Sequence, residues 1–214
     1  MQKSPKLQLL TAAQLIQEQR RGTLVLDTRA AEQFAILHIR GAIQIGLTGS
    51  FAGWAAILIE PARSILLIAE DAKCAHEAHS RLERVGLEHV IGYSLANEIQ
   101  WREEGIDLGS ISIHRCETVR HDPSLQLVDV RSRAEWLKGH LPGAISLPLL
   151  SLDPKKRVID PSKPSLVYCQ EGYRATTAAS ILMRESDGCV AVLIDGVEGW
   201  LASGLPLEMP DQSR

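Results

Sequence analysis

The sequence predicts an α/β protein with two similar domains, each a mainly parallel sheet flanked by helices. Two observations carry this prediction. First, short apolar runs rich in β-branched residues alternate along the chain with segments of helical spacing, which is the pattern of helices that cover a parallel sheet. Second, the same motifs occur twice in the 214 residues, about one hundred residues apart, as in a duplicated domain.

Short apolar runs are expected to form buried strands, because parallel strands covered on both faces are continuous in Val, Ile and Leu. These runs are residues 24–26, 65–69, 127–130, 166–168 and 190–194. Two other segments carry apolar residues on one helical face. These residues are Ala75, Ala78, Leu82 and Val85 in the first half, and Ala175, Ala178, Ala179 and Leu182 in the second. Ligands of such sheets bind outside the carboxyl ends of the strands, so residues that follow a strand are candidates for a site.

The duplication is clearest in two pairs of short motifs. Residues 27–29, Asp-Thr-Arg, correspond to residues 129–131, Asp-Val-Arg, and residues 38–41 correspond to residues 140–143, both at an offset of 102. A period of this length is too long for a solenoid repeat and favours two whole domains. Gly and Ser interrupt the pattern at the middle of the chain. The predicted domains are therefore residues 1–109 and 110–214.

Composition and charge argue against several kinds of partner. The net charge is −3 and the longest basic run is Lys155-Lys156-Arg157, so nucleic acid is not expected as a partner. The four cysteines lack C-x-x-C spacing and the seven histidines are scattered, so we expect neither a bound metal nor a disulfide framework. Polar residues interrupt the apolar ones near the N-terminus, which predicts no signal peptide or membrane span and favours a cytoplasmic protein.

A candidate nucleophile stands at the end of one apolar run. Residues 166–168 lead directly into Cys169, and a short loop containing Gly172 then leads into a segment of helical spacing. If this loop turns its backbone N–H groups inward, those groups and the N-terminus of the next helix favour negative charge on the sulfur. Arg174 adds a positive charge nearby. The pattern therefore predicts a reactive thiolate rather than an inert structural cysteine.

The second half resembles a rhodanese domain, of the sulfurtransferase family, in motifs that follow the family's order. These motifs are residues 129–131, 135–136, 139–144, 169–174 and 195–200. The resemblance covers roughly residues 112–208, and a weaker form of it covers roughly residues 7–107. It implies a tandem rhodanese with a catalytic second domain, a persulfide formed on Cys169, and no cofactor. It also implies that the loop binds the sulfur donor through Gln170, Glu171, Gly172, Tyr173 and Arg174.

The first half departs from this family at the catalytic loop. When the apolar runs are aligned, Ala69 takes the position of Cys169, Ala72 that of the loop glycine, and Cys74 that of the loop arginine. Two acidic residues, at positions 70 and 71, would repel an anionic donor. We therefore expect a degenerate and catalytically silent domain with a structural or docking role. Cys74 is expected to be a packed or surface thiol, because reactivity depends on local dipoles and charge.

The family resemblance implies transfer of a sulfane sulfur from a donor such as thiosulfate to a thiophilic acceptor, which is a small thiol, cyanide or a protein sulfur acceptor. The two steps would pass through a covalent persulfide. Four residues separate Cys169 from Arg174, one fewer than in related phosphatases of this fold, and by that analogy the loop suits sulfur rather than phosphate. Glu171 would weaken the attraction for dianionic thiosulfate, so glutathione persulfide is an alternative donor.

Two other interpretations remain open. Residues 50–54 resemble the first unit of the tandem rhodanese tails that follow metallo-β-lactamase-type persulfide dioxygenases, although the sequence contains no H-x-H-x-D-H metal cluster. In that case the chain would handle glutathione persulfide together with a separate persulfide dioxygenase. The second interpretation is a non-catalytic sulfur-binding or docking module. The silent first half supports it, and the intact Cys169 loop opposes it.

Three polar residues near the predicted loop each have a structural and a functional interpretation. Asp129 and Arg131 either orient the loop or form an ion pair that stabilises the fold. His140 is either a general acid, since histidine titrates near neutral pH, or a structural residue. The structural role is favoured for His140, because His38 is retained in the half that lacks the cysteine.

Aromatic residues and the remaining cysteines are less informative. Trp101 and Trp200 occur in both halves and are expected to anchor the two cores. Tyr173 either shapes the acceptor pocket or packs against its neighbours. For Cys116 and Cys189, nothing in the sequence indicates whether they come near the candidate nucleophile and resolve its persulfide.

Overall fold

The structure is a computed structural model that describes residues 7–117, 119, 124–153, 158–160, 162–185 and 189–209. The chain divides into two compact units, Met1–Gly109 and Ser110–Arg214. Each unit contains a parallel sheet flanked by helices, which confirms the predicted α/β class. Among the described residues, no helix combines the length and the apolar character that a membrane crossing requires.

The first unit contains, in chain order, α1 (Ala12–Arg20), β1 (Leu24–Asp27), α2 (Ala31–Ile36), β2 (His38–Ile39), β3 (Ile43–Gln44), α3 (Phe51–Leu58), β4 (Ile65–Ala69), α4 (Ala72–Glu83), β5 (Val90–Leu95), α5 (Glu98–Glu103) and β6 (Leu108–Gly109). Its main sheet has the order β3-β1-β4-β5, with all neighbours parallel. The short strands β2 and β6 form a separate antiparallel pair. All of β4 is buried, as expected of a central strand covered on both faces.

The second unit contains β7 (Ser112–His114), β8 (Gln126–Asp129), α6 (Arg133–Trp136), β9 (Ile145–Ser146), a 3₁₀ turn (Leu149–Ser151), β10 (Ser165–Tyr168), α7 (Tyr173–Glu185), β11 (Val190–Leu193) and α8 (Gly196–Ala202). Its sheet has the order β7-β11-β10-β8-β9, again with all neighbours parallel. β10 is the buried central strand. The residue after β10 therefore lies at the carboxyl edge of the sheet, between the ends of β8 and β11.

The core of the second unit holds β10 in place from several directions. Leu166 and Tyr168 of β10 pack in one buried cluster with Leu193 of β11 and Val197 of α8. Complete burial of a leucine side chain stabilises a fold by about 2 kcal/mol. The face of α7 turned to the sheet carries small residues, which are Ala175, Ala178 and Ala179, all fully buried. Because these side chains are short, the helix that follows the candidate loop packs closely on the sheet.

The predicted strands are all present, and their ends differ from the prediction by no more than one residue. Besides the two-residue strands β2, β3, β6 and β9, two longer strands, β5 and β7, are not predicted by the apolar-run criterion. β5 contains Gly92 and Ser94 and is exposed at its end, and β7 is a short edge strand with exposed residues. Edge strands need only one buried face at most, so their sequences lack a continuous apolar run.

One predicted core residue is wrong. Val85 lies beyond the end of α4 at Glu83 and is 36% exposed, whereas Ala75, Ala78 and Leu82 are fully buried. The helix ends before its periodic face reaches Val85. Helical spacing alone does not show where a helix stops.

Candidate active site

Cys169 is the first residue after β10, at the carboxyl edge of the second sheet. This is the edge at which open parallel sheets bind ligands. The residue is only 1% exposed. The sulfur is therefore almost completely shielded from solvent by its surroundings.

The loop after Cys169 turns back on the sulfur. The backbone N–H of Gly172 donates a hydrogen bond to Cys169 Sγ at 3.1 Å. Gly172 has a φ of +87°, and a Cβ at this position would collide with the carbonyl oxygen of Ile194. Only glycine combines this left-handed conformation with so close a backbone neighbour. The turn around the sulfur therefore requires glycine at position 172.

A second glycine, Gly196, holds the same loop from the side of α8. Its φ is +54°, and a Cβ there would lie 2.5 Å from the carbonyl oxygen of Gln170. Because the backbones approach closely, Val197 N–H donates to the carbonyl of Cys169 at 3.0 Å and Glu198 N–H donates to that of Gln170 at 3.3 Å. The first turn of α8 therefore binds the carbonyl groups of the loop and fixes which way its N–H groups face.

The N-terminus of α7 completes the turn. The carbonyl of Gly172 accepts the first helical hydrogen bond, from Thr176 N–H at 3.0 Å, and a second one from Thr176 Oγ1 at 3.2 Å. The N-terminal N–H groups of a helix have no partner within the helix and carry partial positive charge. α7 has 13 residues, so it is long enough to present such an end. The N-terminus of a helix is a place where proteins commonly bind anions.

Arg174 forms a bidentate salt bridge with a residue outside the loop. Its Nη1 and Nη2 donate to the two carboxylate oxygens of Glu135 at 2.8 and 2.7 Å. These bonds hold the pKa of Arg174 above its ordinary value, burial opposes them, and the nearby sulfur of Cys169 adds to the rise. The same bonds, helped by Ser132, lower the pKa of Glu135 to about 2, although burial opposes this shift too. Both groups are therefore charged at neutral pH.

The other predicted loop residues lie at the rim. Gln170 is half-buried, and its Nε2 donates to Glu198 Oε1 at 3.1 Å. Glu171 is exposed. Tyr173, the first residue of α7, is half-buried and lies next to Gly172. The structure thus brings Gly172 and Arg174 to the sulfur of Cys169, while these three residues surround it.

Asp129 and Arg131 form a buried ion pair that serves the fold. Arg131 Nη2 donates to Asp129 Oδ2 and to the carbonyl of Gly139, both at 2.7 Å. The first unit repeats this pair with Arg29 and Asp27, also at 2.7 Å. Since the pair persists where the cysteine is missing, it favours the structural interpretation of Asp129 and Arg131.

The two histidines are structural by the same comparison. His140 is buried and stacks on Trp136, with ring centroids 3.5 Å apart and an interplanar angle of 8°. His38 stacks on Phe34 in the same way, at 4.0 Å and 8°. These stacks bury each imidazole against an aromatic ring, and they occur in both units.

The two tryptophans at equivalent positions of the repeat differ in their surroundings. Trp101 is 1% exposed and packs under the guanidinium of Arg29, 5.3 Å from its ring centroid. Trp200 is half-buried, packs on the core cluster of the second unit, and donates from Nε1 to the carbonyl of Pro206 at 3.0 Å. Both anchor their units, Trp101 more completely.

The remaining cysteines differ in chemistry. Cys116 is buried, and its Sγ donates to Asp195 Oδ1 at 3.3 Å. Burial and the neighbouring Asp195 raise the pKa of the Cys116 thiol to about 12. Burial also raises the pKa of Cys74, with Asp71 contributing. Cys189 is exposed. Neither Cys116 nor Cys74 is therefore a thiolate at neutral pH.

Strand pairing fixes which residues of the two units are equivalent. In the first sheet Asp27 pairs with Ile68, and in the second sheet Asp129 pairs with the residue just before Cys169. The residue after Ile68 is Ala69. The pairing therefore puts a methyl group where the second unit has its thiol.

The loop of the first unit is also one residue shorter. The first hydrogen bond of α4 runs from Ala75 N–H to the carbonyl of Asp71, two residues after Ala69, whereas Gly172 lies three residues after Cys169. Asp71 caps α4 by accepting from Cys74 N–H at 2.7 Å, because a carboxylate at this position binds the free N–H groups of the first turn. Cys74 is thus a residue of the first turn of α4, and it does not lie in a loop that turns back on its sulfur as the loop after Cys169 does.

A cavity of about 370 Å³ remains at this edge of the first unit. Its lining includes Thr28, Glu70, Cys74, Glu77 and Arg81. Arg81 is bound to backbone, since its Nη1 donates to the carbonyl of Leu47 at 2.6 Å. The first unit therefore keeps a cleft but replaces the chemistry of the loop.

Two contributors to the site are not predicted from the sequence. Glu135 appears there only as part of a motif, although Ser132 and Glu135 have the S-x-x-E spacing of a helix capping box. That spacing predicts a cap and not a partner for Arg174. Gly196 gives a weaker signal, a glycine directly after an aspartate that ends an apolar run.

Known proteins show the family of the chain. Residues 11–97 and 113–203 match the family described as "Rhodanese-like domain". A sulfurtransferase from Allochromatium vinosum is 31% identical over 106 residues, which is 50% of this chain and 95% of that protein. A putative sulfur carrier protein, YrkF, from Bacillus subtilis is 26% identical over 84 residues, which is 39% of this chain. The match spans only 45% of the length of YrkF.

One solved structure is similar to this chain at a low level. The thiosulfate sulfurtransferase from Pseudomonas aeruginosa is 22% identical, with a TM-score of 0.39, over 87% of this chain and 40% of that protein. The two family matches cover most of both units and include the loop that carries Cys169. The chain belongs to the rhodanese-like family, and it contains two domains of that family in tandem.

Proposed function

We propose that the chain transfers a sulfane sulfur from a small donor to a thiophilic acceptor through a persulfide on Cys169. The supporting observation is the hydrogen bond of 3.1 Å from Gly172 N–H to Cys169 Sγ, at the start of α7. Sulfur transfer in general agrees with the family and with the sulfurtransferase relative. The persulfide, its position and its donor are the parts proposed here.

In the first step, the Cys169 thiolate attacks the outer sulfur of the donor. With thiosulfate, a sulfur–sulfur bond forms to Cys169 while the sulfur–sulfur bond of thiosulfate breaks, and sulfite leaves with the electron pair of that bond. The enzyme then carries a persulfide anion, and total charge is conserved. In the second step, an acceptor such as glutathione or cyanide attacks the outer persulfide sulfur and restores the Cys169 thiolate, so the kinetics are ping-pong.

The loop supports both steps by stabilising negative charge. Gly172 N–H donates to the sulfur before the attack, and the persulfide anion needs backbone donors at the same place afterwards. These donors are already oriented by the contacts of Gly172 with α7 and of Gln170 with α8. Little reorganisation is therefore needed when charge moves by one sulfur atom.

The charges around the loop favour a donor with one negative charge at its reacting end. The positive charge of Arg174 is paired with Glu135, and Glu171 and Glu198 are exposed acidic residues at the rim. The site therefore attracts dianionic thiosulfate less strongly than it would if Arg174 were not paired with an acid. This observation supports an alkyl persulfide such as glutathione persulfide as a second candidate donor.

The proposal is tested by intact mass spectrometry after incubation with thiosulfate or with glutathione persulfide. We expect wild type to gain the mass of one sulfur atom, and Cys169→Ala to gain none. Cys189→Ala is the matched control, because it removes an exposed cysteine that could react adventitiously, and it should still gain one sulfur. If Cys169→Ala takes up sulfur as wild type does, or if neither donor labels wild type, the proposal is wrong.

A further inference from the structure

The bidentate pair of Glu135 with Arg174 differs from the two buried Asp–Arg pairs described above, because it joins a separate helix to the candidate loop. We propose that Glu135 is a positioning residue, which holds Arg174 beside Cys169 and offsets its charge so that the site discriminates against dianionic donors. This inference rests on the proposed function. It adds a specificity determinant outside the residues from Cys169 to Arg174.

The geometry shows that Glu135 fixes the guanidinium. Two parallel hydrogen bonds of 2.7 and 2.8 Å join the groups across 39 positions of sequence. A paired bridge of this kind sets the plane of the guanidinium as well as its position. The side chains are 21% and 30% exposed, so solvent screens the pair only in part. Arg174 therefore approaches the sulfur in one orientation.

The carboxylate is itself held from the other side. Ser132 N–H and Ser132 Oγ donate to Glu135 Oε2 at 3.0 and 2.6 Å, and Glu135 N–H donates back to Ser132 Oγ at 3.3 Å. This capping box begins α6. Glu135 Oε2 thus accepts from α6 and from Arg174 at the same time, which couples the start of α6 to the loop.

The first unit provides an internal comparison for the charge of Glu135. Its α2 begins with one half of this arrangement, in which Gln33 takes the place of Glu135 and its Oε1 accepts from Ala30 N–H at 3.2 Å. An amide is therefore sufficient for this half of the cap. The first residues of α4, from Ala72 to Cys74, include no arginine. The first unit therefore has no equivalent of Glu135, of Arg174 or of Cys169 at the corresponding positions.

The buried pair of Asp129 with Arg131 behaves in the opposite way. It is retained in both units with the same distance of 2.7 Å. A pair that serves the fold is kept where there is no cysteine, whereas the pair of Glu135 with Arg174 accompanies Cys169. This difference assigns the second pair to the chemistry of the loop.

The charge argument gives a direction for donor choice. With Glu135 ionised, the pair adds no net charge beside the sulfur. Replacing Glu135 with glutamine keeps an oxygen acceptor for the cap and leaves Arg174 with an unbalanced positive charge. Attraction to Arg174 grows with the negative charge on the donor. In that variant, kcat/KM should therefore rise more for thiosulfate than for a donor with one negative charge at its reacting end.

The experiment measures kcat/KM for thiosulfate and for glutathione persulfide in wild type and in Glu135→Gln, each at low and high ionic strength. In Glu135→Gln we expect the ratio of kcat/KM for thiosulfate to kcat/KM for glutathione persulfide to rise about threefold or more. This estimate takes one extra unit of donor charge that interacts with Arg174 through partly screening surroundings. The thiosulfate rate should also fall more steeply with added salt than in wild type. A role in folding alone would change neither the ratio nor the salt dependence.

Two further variants keep the test decisive. Ser132→Ala removes the hydroxyl bonds of the cap but keeps both charges of the pair, so it should lower the melting temperature and leave the donor ratio within error of wild type. The double variant Glu135→Gln with Arg174→Gln removes both charges and should return the donor ratio toward that of wild type. If the double variant keeps the raised ratio, the charge argument is wrong.

The outcomes separate this inference from the proposed function. If wild type takes up no sulfur on Cys169, the proposed function fails. If Glu135→Gln takes up one sulfur normally but shows the wild-type donor ratio and salt dependence, only the role of Glu135 is overturned. If Glu135→Gln fails to fold, Arg174→Gln provides the test. It leaves the negative charge of Glu135 without its partner, so it should lower the donor ratio, and an unchanged ratio would overturn the role of Glu135.

Discussion

The backbone N–H of Gly172 and the sulfur of Cys169 are 3.1 Å apart, and the position of Ile194 allows only a glycine to make this contact. The thiol of the second unit is thus bound by its own loop before any donor arrives. A pre-oriented backbone donor stabilises charge without reorganisation when the charge forms. The reactive character assigned to Cys169 depends on this turn.

Gly172→Ala should therefore damage both stability and sulfur uptake. The turn would force alanine into a left-handed conformation, at a cost of about 1 to 2 kcal/mol. Its Cβ would also displace the carbonyl of Ile194. We expect a lower melting temperature and a rate of sulfur uptake at least tenfold lower, because the N–H of residue 172 moves away from the sulfur. Thermal unfolding and timed mass spectrometry measure the two effects.

A matched control separates strain from the contact with the sulfur. Gly143 has a φ of +72°, but a Cβ there would meet nothing within 4 Å. Gly143→Ala should thus lower stability through strain alone and leave the uptake rate nearly unchanged. Equal loss of uptake in both variants would contradict the role given to the Gly172 N–H.

Much of this site could be predicted from the sequence because its signals are local. The strand, Cys169, Gly172 and Arg174 follow one another within ten residues, and each has a simple physical role. The position of Ala69 could be predicted as well, since it needs only the alignment of two apolar runs. Strand pairing then gave the same equivalence.

The rest depends on contacts between distant parts of the chain. Glu135 is 39 positions from Arg174, and its local sequence indicates only a helix cap. The need for glycine at position 172 arises from the carbonyl of Ile194, which belongs to the segment after β11. Even the shorter loop of the first unit follows from a local competition, in which Asp71 caps α4 one residue early. Alignment alone does not show where that helix begins.

The stability supplied by Glu135 should depend on pH. Its pKa in the folded protein is about 2, below the ordinary value of 4.5, chiefly because of the hydrogen bonds from Arg174. A lowered carboxyl pKa adds stability that is fully present above the ordinary pKa and is lost as the pH falls through the folded value. The melting temperatures of wild type and Glu135→Gln should therefore differ most near neutral pH, and the gap should narrow between pH 4.5 and pH 2.

Thermal unfolding at several pH values measures this gap. Glu32→Gln is a suitable control, since Glu32 is likewise an acidic residue in the first turn of its helix, α2. A gap for Glu135→Gln that stays constant from pH 7 to pH 2.5 would show that the ion pair adds no stability of this kind.

Cys116 should be inert in the folded protein. Burial and Asp195 raise the pKa of its thiol to about 12, so the thiolate that reacts with alkylating agents is scarce at pH 8. We expect iodoacetamide to modify the exposed Cys189 within minutes and to leave Cys116 unmodified until the protein unfolds. Peptide mapping of the labelled chain measures both. Rapid labelling of Cys116 in folded protein would reopen its role as a resolving cysteine.

Restoring a cysteine to the first unit should not restore sulfur transfer there. Ala69→Cys would place a thiol at the position equivalent to Cys169, but α4 begins one residue earlier than α7 does relative to that position. Asp71 would stand where Gly172 binds the sulfur, and its carboxylate, already bound to Cys74 N–H at 2.7 Å, would add negative charge beside the thiol. Two neighbouring negative charges disfavour each other.

The variant is best tested in a Cys169→Ala background, so that any sulfur taken up must lie on the first unit. We expect no gain of a sulfur atom with thiosulfate or glutathione persulfide. A second variant adds the missing loop by replacing residues 69–72 with the Cys169 to Tyr173 segment, which supplies both the glycine and the extra residue. Sulfur uptake by this loop variant, and not by Ala69→Cys, would show that the turn around the sulfur confers the reactivity. Uptake by Ala69→Cys alone would show instead that any thiol at this sheet edge is sufficient.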